Sequence, residues 1–133
     1  MLPREEEKIA AHIGVSLKEL RLRFETSRWR FPSLRERHNG RCIMNGDDGR
    51  CKIYICRPLE CQTWPFWPEL LDSPEAWSDA AKHCPGMNTG PLRSYESISA
   101  VLAEHIAYVN RLTVEWGRSR SFGGKPVGAA DRG

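Results

Sequence analysis

The sequence has no long apolar run and no apolar leader at its start. No stretch approaches the roughly 18 apolar residues of a membrane-spanning helix. Met1 is followed by Leu2, Pro3 and Arg4 and then by three glutamates, which is not the pattern of a secretory signal. We therefore expect a cytoplasmic protein with no membrane partner.

Common cofactor motifs and a strong charge imbalance are also missing. The chain contains no Walker loop, no GxGxxG and no HExxH pattern. The net charge is only +3 at pH 7, and the excess lies in residues 117–133, where four basic residues accompany one acidic residue. Because the rest of the chain balances its charges, we expect no nucleic-acid partner.

What the chain does have is a confined group of cysteines. Residues 42–86 contain all five cysteines, five of the nine prolines and three of the five tryptophans. This confinement indicates that the cysteines serve one local site. Disulfides, a bound metal, and a catalytic or redox thiol compete to explain it. A reducing cytoplasm and an odd cysteine count disfavour disulfides, so a metal site is the preferred interpretation.

The cysteine spacing leaves the identity of the metal open. The gaps are C-x8-C, C-x4-C, C-x4-C and C-x22-C, and none is the C-x2-C of a zinc finger or ribbon. Thiolates from separate loops can still surround a zinc ion, since zinc has no geometric preference from d-electrons. Soft thiolates suit iron–sulfur clusters equally well.

Two strings within this region carry a specific resemblance. They are Tyr54-x-x-Arg57-Pro58-x-x-Cys61 and Cys84-Pro85-Gly86. Together with Cys42 and the Asn45-Gly46-Asp47-Asp48-Gly49-Arg50-Cys51 run, they resemble the bacterial and archaeal CxxCxxCC cysteine-cluster family. The resemblance covers about residues 1–90. It implies a zinc- or iron-chelating domain whose metal ligands are Cys42, Cys51, Cys61 and Cys84. Cys56 does not match the family pattern and would be a substitute ligand.

The chain departs from this family at its N-terminus. The signature cysteines of the family precede the first helix, whereas this sequence begins at that helix. We expect translation to start upstream of the recorded Met1, so that the 133-residue chain supplies part of a larger cysteine site.

The predicted function is therefore metal chelation, with zinc first and iron or an iron–sulfur cluster second. The resemblance also implies an alternative, an enzyme similar to the flagellin N-methylases that methylates protein lysine. A thiol redox protein that uses Cys56 with Cys51 or Cys61 is the second alternative. Tyr54, Arg57 and Trp64 are expected to surround the metal ligands. The sequence names no protein partner.

The predicted fold is α+β, a small single domain over residues 1–116 followed by a flexible basic tail over 117–133. Two helices are expected near the N-terminus, with Gly14 ending the first and Ser16 capping the second. A β-hairpin is expected from Cys42–Met44 and Arg50–Ile55, joined at the Asn45–Gly49 turn. It would hold Cys42 and Cys51 together at the core of the domain.

The second half of the chain is expected to be helical apart from one aromatic segment. Ser73 should cap a helix that begins at Pro74, and a long helix should run from Tyr95 to Trp116. The irregular segment Thr63–Pro68 is interpreted as an aromatic wall over the metal, with a ligand platform as the alternative. His83 is expected to be a solvated helix-end residue and His105 a core residue rather than metal ligands.

Overall fold

The computed structural model describes residues 1–119, with side chains through Gly117, and its helices and two-stranded sheet confirm the α+β class. In chain order the elements are α1 (Pro3–Ile13), α2 (Leu17–Phe24), β1 (Glu25–Thr26), β2 (Ser33–Leu34), α3 (Leu59–Thr63), α4 (Pro68–Leu71), α5 (Pro74–Ala81) and α6 (Tyr95–Ser119), with a 3₁₀ turn at Tyr54–Cys56. The chain divides into two compact units. Unit 1 is Met1–Pro58 together with the chain from Arg111 onward, and unit 2 is Leu59–Asn110.

The first two helices begin and end where local signals predict. Gly14 follows α1 with a φ of 76°, a left-handed conformation that glycine adopts without a Cβ penalty. The Ser16 hydroxyl accepts a hydrogen bond of 3.0 Å from the Glu19 backbone N–H and so caps α2. The Ser16 side chain makes this cap, while the Glu19 carboxylate pairs with Arg23.

The core of unit 1 is aliphatic and rich in sulfur. Its fully buried members come from α1, α2 and the cysteine region: Met1, Ile9, Ala10, Leu20, Met44 and Ile53. Cys51 and Cys56 pack against this cluster. Glu6 is also buried, where its carboxylate accepts hydrogen bonds of 3.3 and 2.8 Å from Arg21. A buried charge requires such a partner.

The predicted hairpin at Cys42–Met44 and Arg50–Ile55 is wrong in position. The paired strands are β1 and β2, antiparallel with Glu25 opposite Leu34, whereas the cysteine region makes only the isolated bridges Glu36–Cys42 and Asn45–Cys51. A strand would place Ile53 and Ile55 on one face. Instead Ile53 is 1% exposed and Ile55 is 84% exposed. Ile53 is therefore buried directly before the 3₁₀ turn, and the strand pattern ends there.

Unit 2 begins with three short helices. The Ser73 hydroxyl accepts a 3.1 Å bond from the Ala76 N–H, and Pro74 opens α5, as predicted. Of the predicted irregular segment Thr63–Pro68, residues 64–67 lie between α3 and α4, and they contain a cis Trp64–Pro65 bond. Proline prevents a regular helix or a central strand there.

The long helix α6 differs from its prediction in two details. Gly117 does not end it, since the helix continues to Ser119. Helical spacing predicts Ile106 on the apolar face of the helix, but Ile106 is 45% exposed, while Tyr108 is fully buried. His105 is buried, as expected. The predicted tail from residue 117 thus starts within α6, and residues 120–133 lie outside the described part of the chain. No helix of the described residues is long and apolar enough to cross a membrane.

Candidate functional site

All five cysteines carry free thiols, and each unit contains some of them. Cys42, Cys51 and Cys56 belong to unit 1, and Cys61 and Cys84 belong to unit 2. Cys42 and Cys61 are exposed, and the other three are half-buried. The predicted four-ligand set is therefore divided between two compact units, and it stays a prediction.

Backbone hydrogen bonds hold Cys42 at a bend of the chain. It is bridged to Glu36, and the neighbouring Ile43 N–H donates to the Arg35 carbonyl at 2.8 Å. The Asn45 N–H then donates to the Cys42 carbonyl at 2.9 Å. The Met44 N–H lies 3.5 Å from the Cys42 Sγ and donates to it. The thiol is thus anchored at the entrance of the following turn.

A tight turn then returns the chain to Cys51. The Gly46 N–H donates to the Arg50 carbonyl at 2.7 Å, and Gly49 has a φ of 83°, which favours glycine at that position. The Asp48 carboxylate accepts a 2.9 Å bond from the Arg50 N–H, so it forms the turn as predicted. The Asn45–Cys51 bridge closes the base. Cys51 therefore returns to within electrostatic reach of Cys42.

Cys56 joins the same region through the 3₁₀ turn. Its N–H donates to the Ile53 carbonyl at 2.9 Å, and the turn carries it into electrostatic reach of Cys51. The family pattern gave Cys56 only the role of a substitute. No sequence signal indicated this position, because it depends on the turn after Ile53, whose burial is decided by tertiary packing.

The electrostatic surroundings of Cys42 and Cys56 favour the protonated form of these two thiols. Cys42 is exposed as a residue, but the atoms packed around its sulfur exclude water, and this burial raises the pKa of its thiol. Negative charge on Cys51 and Glu36 acts in the same direction, while the Met44 N–H and Arg37 oppose it. Burial, then Cys51, likewise raises the pKa of the Cys56 thiol.

The remaining predicted site residues lie at defined places within each unit. Cys61 is carried by α3, and Cys84 follows α5. His83 is exposed at the end of α5.

The Arg57 guanidinium lies 4.0 Å from the centroid of the Tyr54 ring. Trp64 packs edge-on against Trp67 at 4.8 Å. Within residues 1–119, no three His, Cys, Asp or Glu side chains are positioned to hold a metal ion.

The aromatic segment of unit 2 lines a pocket that the sequence analysis did not predict. The Phe66 ring stacks on Trp77 at 6.0 Å, and both line a partly open pocket of about 740 Å³. Trp67 lies outside the lining, where its ring stacks on His105 at 5.3 Å. The clustered aromatic residues of Thr63–Pro68 were the sequence signal for such a pocket, because they also allowed the interpretation of this segment as a ligand platform.

Comparison of the chain with protein-family models, with curated proteins and with solved structures found no match. The likeness to the CxxCxxCC family therefore stays a prediction from the motif residues.

Proposed function

We propose that the protein chelates a thiophilic metal ion through its cysteine thiols, with zinc preferred and iron second. The supporting observation is that free Cys42 and Cys51 lie in electrostatic reach of each other, at the two ends of a turn closed by the Asn45–Cys51 bridge. Thiolate sulfur is the ligand that zinc, copper(I) and iron–sulfur clusters favour.

The chemistry of the donors fits such an ion, although three donors are not yet assembled in the described residues. Cys42 and Cys51 would provide the first two sulfurs, and Cys56 is the nearest further thiol in unit 1. Cys61 and Cys84 are the other ligands that the resemblance implies. Bound metal would release the thiol protons and order the loops, so metal affinity would add to stability.

The redox alternative and metal binding both use the thiolate, so the raised pKa of the Cys42 and Cys56 thiols does not separate them. A cytoplasmic location belongs to the same proposal, because a reducing compartment keeps all five thiols free for a metal.

Metal content of the purified chain tests this function. Protein without a tag is prepared anaerobically, and zinc and iron are measured by mass spectrometry and by competition with a coloured chelator. We expect bound metal in the native chain and a large loss in Cys42→Ser and Cys51→Ser. The same substitution at Cys56, Cys61 and Cys84 then assigns the other ligands.

Two controls make this result interpretable. Asp47→Asn changes an exposed turn carboxylate beside the site and should leave metal binding unchanged. A chain with all five cysteines replaced by serine sets the background. Equal metal content in the native chain and in this all-serine chain, with the native thiols shown to be reduced, would disprove chelation.

Arg57 gives a second test of the proposal. Its cationic group follows Cys56 directly and would offset repulsion between thiolates, so Arg57→Ala should weaken metal binding by about 10- to 100-fold. Arg41→Ala removes the same charge from an exposed position one residue before Cys42. If both variants bind metal as the native chain does, Arg57 acts only in packing on Tyr54.

A further inference from the structure

The aromatic pocket of unit 2 has walls made of interlocked rings. Its lining includes Trp64, Phe66, Trp77, Met87 and Ile98, and its volume of about 740 Å³ is within the usual range of small-molecule sites. All of its lining residues lie between Leu59 and Asn110, within one compact unit. The pocket is thus large enough for a molecule of two or three fused or linked rings.

Polar contacts behind the walls hold the pocket in shape. The Trp77 Nε1–H donates to the Asn88 Oδ1 at 2.9 Å, which orients the indole ring. In the loop of residues 86–89, Asn88 has a φ of 63° and the Thr89 hydroxyl donates to the Gly86 carbonyl at 3.0 Å. These local features constrain the conformation of the loop. A pocket ordered before binding costs little conformational entropy when it is filled.

Arg93 gives this pocket its charge. Among the lining residues it is the one with an ionised side chain at neutral pH, and the lining includes no carboxylate. Its guanidinium lies 4.9 Å from the centroid of Phe66, and its Nη2 donates to the Ser97 Oγ at 2.8 Å. Within residues 1–119 it forms no ion pair with a carboxylate. Arginine in such a setting is suited to an anionic group of a ligand.

We infer that this pocket binds a small aromatic molecule that carries one anionic group, a carboxylate or sulfonate. Its rings would lie against Phe66 and Trp77, where offset-stacked and edge-to-face contacts are favourable. Its anionic group would accept hydrogen bonds from Arg93. The inference does not use metal chelation: Cys84 also lines the pocket, but the proposed contacts come from Phe66, Trp77 and Arg93.

Two probes that share one ring system test it. They are 1-anilinonaphthalene-8-sulfonate and N-phenyl-1-naphthylamine, the same rings without the sulfonate. Each is titrated into the full chain and followed by its fluorescence. We expect the sulfonate to bind more tightly, and Arg93→Gln to weaken its binding about tenfold while leaving the neutral probe nearly unchanged. Lys82→Gln, an exposed lysine outside the pocket lining, is the matched control and should change neither affinity.

Location of the probe is measured separately. Ile98→Trp enlarges a lining residue and should weaken the binding of both probes, with thermal unfolding checked for each variant. In proton–nitrogen spectra, the sulfonate should shift the indole signals of Trp64 and Trp77 and leave that of Trp29 in place. Equal affinity for the two probes, no effect of Arg93→Gln, or shifts centred on Trp29 would each overturn the inference.

Discussion

The two units of the chain bury their polar groups in different ways. Unit 1 surrounds the carboxyl groups of Glu6 and Glu25 with aliphatic side chains and balances them with Arg21. Unit 2 buries the neutral pair Thr63 and His105, whose Oγ1 and Nδ1 lie 2.9 Å apart. Buried polar groups are thus paired through opposite charges in unit 1 and through a hydrogen bond between neutral side chains in unit 2. The two should respond to pH in opposite directions.

The two carboxyl groups of unit 1 share one environment. Burial, and then a hydrogen bond to Glu6, raises the pKa of Glu25 to about 8, while Arg21 and the terminal amino group oppose this. As a carboxylate, the Glu25 Oε2 has no hydrogen-bond partner. When protonated, Glu25 can donate a hydrogen bond to the Glu6 carboxylate.

Removal of a core leucine from unit 1 should have the largest effect on stability. Leu20→Ala leaves a cavity among fully packed side chains and should cost about 2–5 kcal/mol in the free energy of unfolding. Leu22 on the same helix is 70% exposed, against 0% for Leu20, so Leu22→Ala should change it by less than about 0.5 kcal/mol. Urea denaturation measures both. If hydrogen exchange accelerates equally in both units, they unfold together.

The Glu25 carboxyl should make unit 1 less stable as the pH rises. Its folded pKa of about 8 lies above its ordinary value of 4.5, so the folded state holds the extra proton between these values. The contribution of Glu25 to stability is then fully present below pH 4.5, and about 2–3 kcal/mol of it, after allowance for solvent screening, is lost as the pH rises to 8. Glu25→Gln should flatten this dependence, and the exposed Glu7→Gln should not. The free energy of unfolding is measured from pH 5 to 8. If its dependence on pH were the same in Glu25→Gln as in the native chain, Glu25 would not be the cause.

Loss of the Thr63 hydroxyl should destabilise unit 2 moderately. Thr63→Val keeps the shape of the side chain but removes the partner of the His105 Nδ1 and one acceptor of the Trp67 Nε1–H. A buried group left without its hydrogen bond costs about 1–3 kcal/mol, and Trp67 still has the Glu60 carbonyl at 3.1 Å. Thr113→Val, at an exposed position on α6, is the control. Equal midpoints of thermal unfolding for the two variants would contradict this account.

Acid should weaken unit 2 by the smallest amount. Burial lowers the pKa of His105, partly offset by the charge of Glu69. The unfolded imidazole therefore takes up a proton first, and stability is lost as the pH falls below about 6.5. Hydrogen exchange at pH 7 and pH 5 should show protection lost among residues 59–110, and His83→Gln should behave in the same way. If residues 59–110 gained protection at pH 5, the predicted direction of the pH dependence would be wrong.

Local signals predicted α1, α2, α5 and α6, but not the short helix α4. Gly14, Ser16 and Ser73 act through contacts within a few residues, so α1, α2 and α5 begin and end near their predicted positions. The cysteine region was harder to predict, because Ile53 and Ile55 read as alternating strand residues. Tertiary burial of one of them reversed that pattern. The strand pair β1–β2, each strand two residues long, is too short to give a periodic signal.

The sequence by itself determined the four longer helices α1, α2, α5 and α6, the Asn45–Gly49 turn and the confinement of the thiols to one region, since these depend on caps, glycines and spacing along the chain. Only the tertiary structure decided the bend at Ile53, the buried pairing of Glu6 with Arg21 and the pocket around Trp77. Each of these depends on side chains far apart in sequence that share one water-excluded volume. Burial is a property of the packed chain, and no local pattern reveals which apolar residue will be covered.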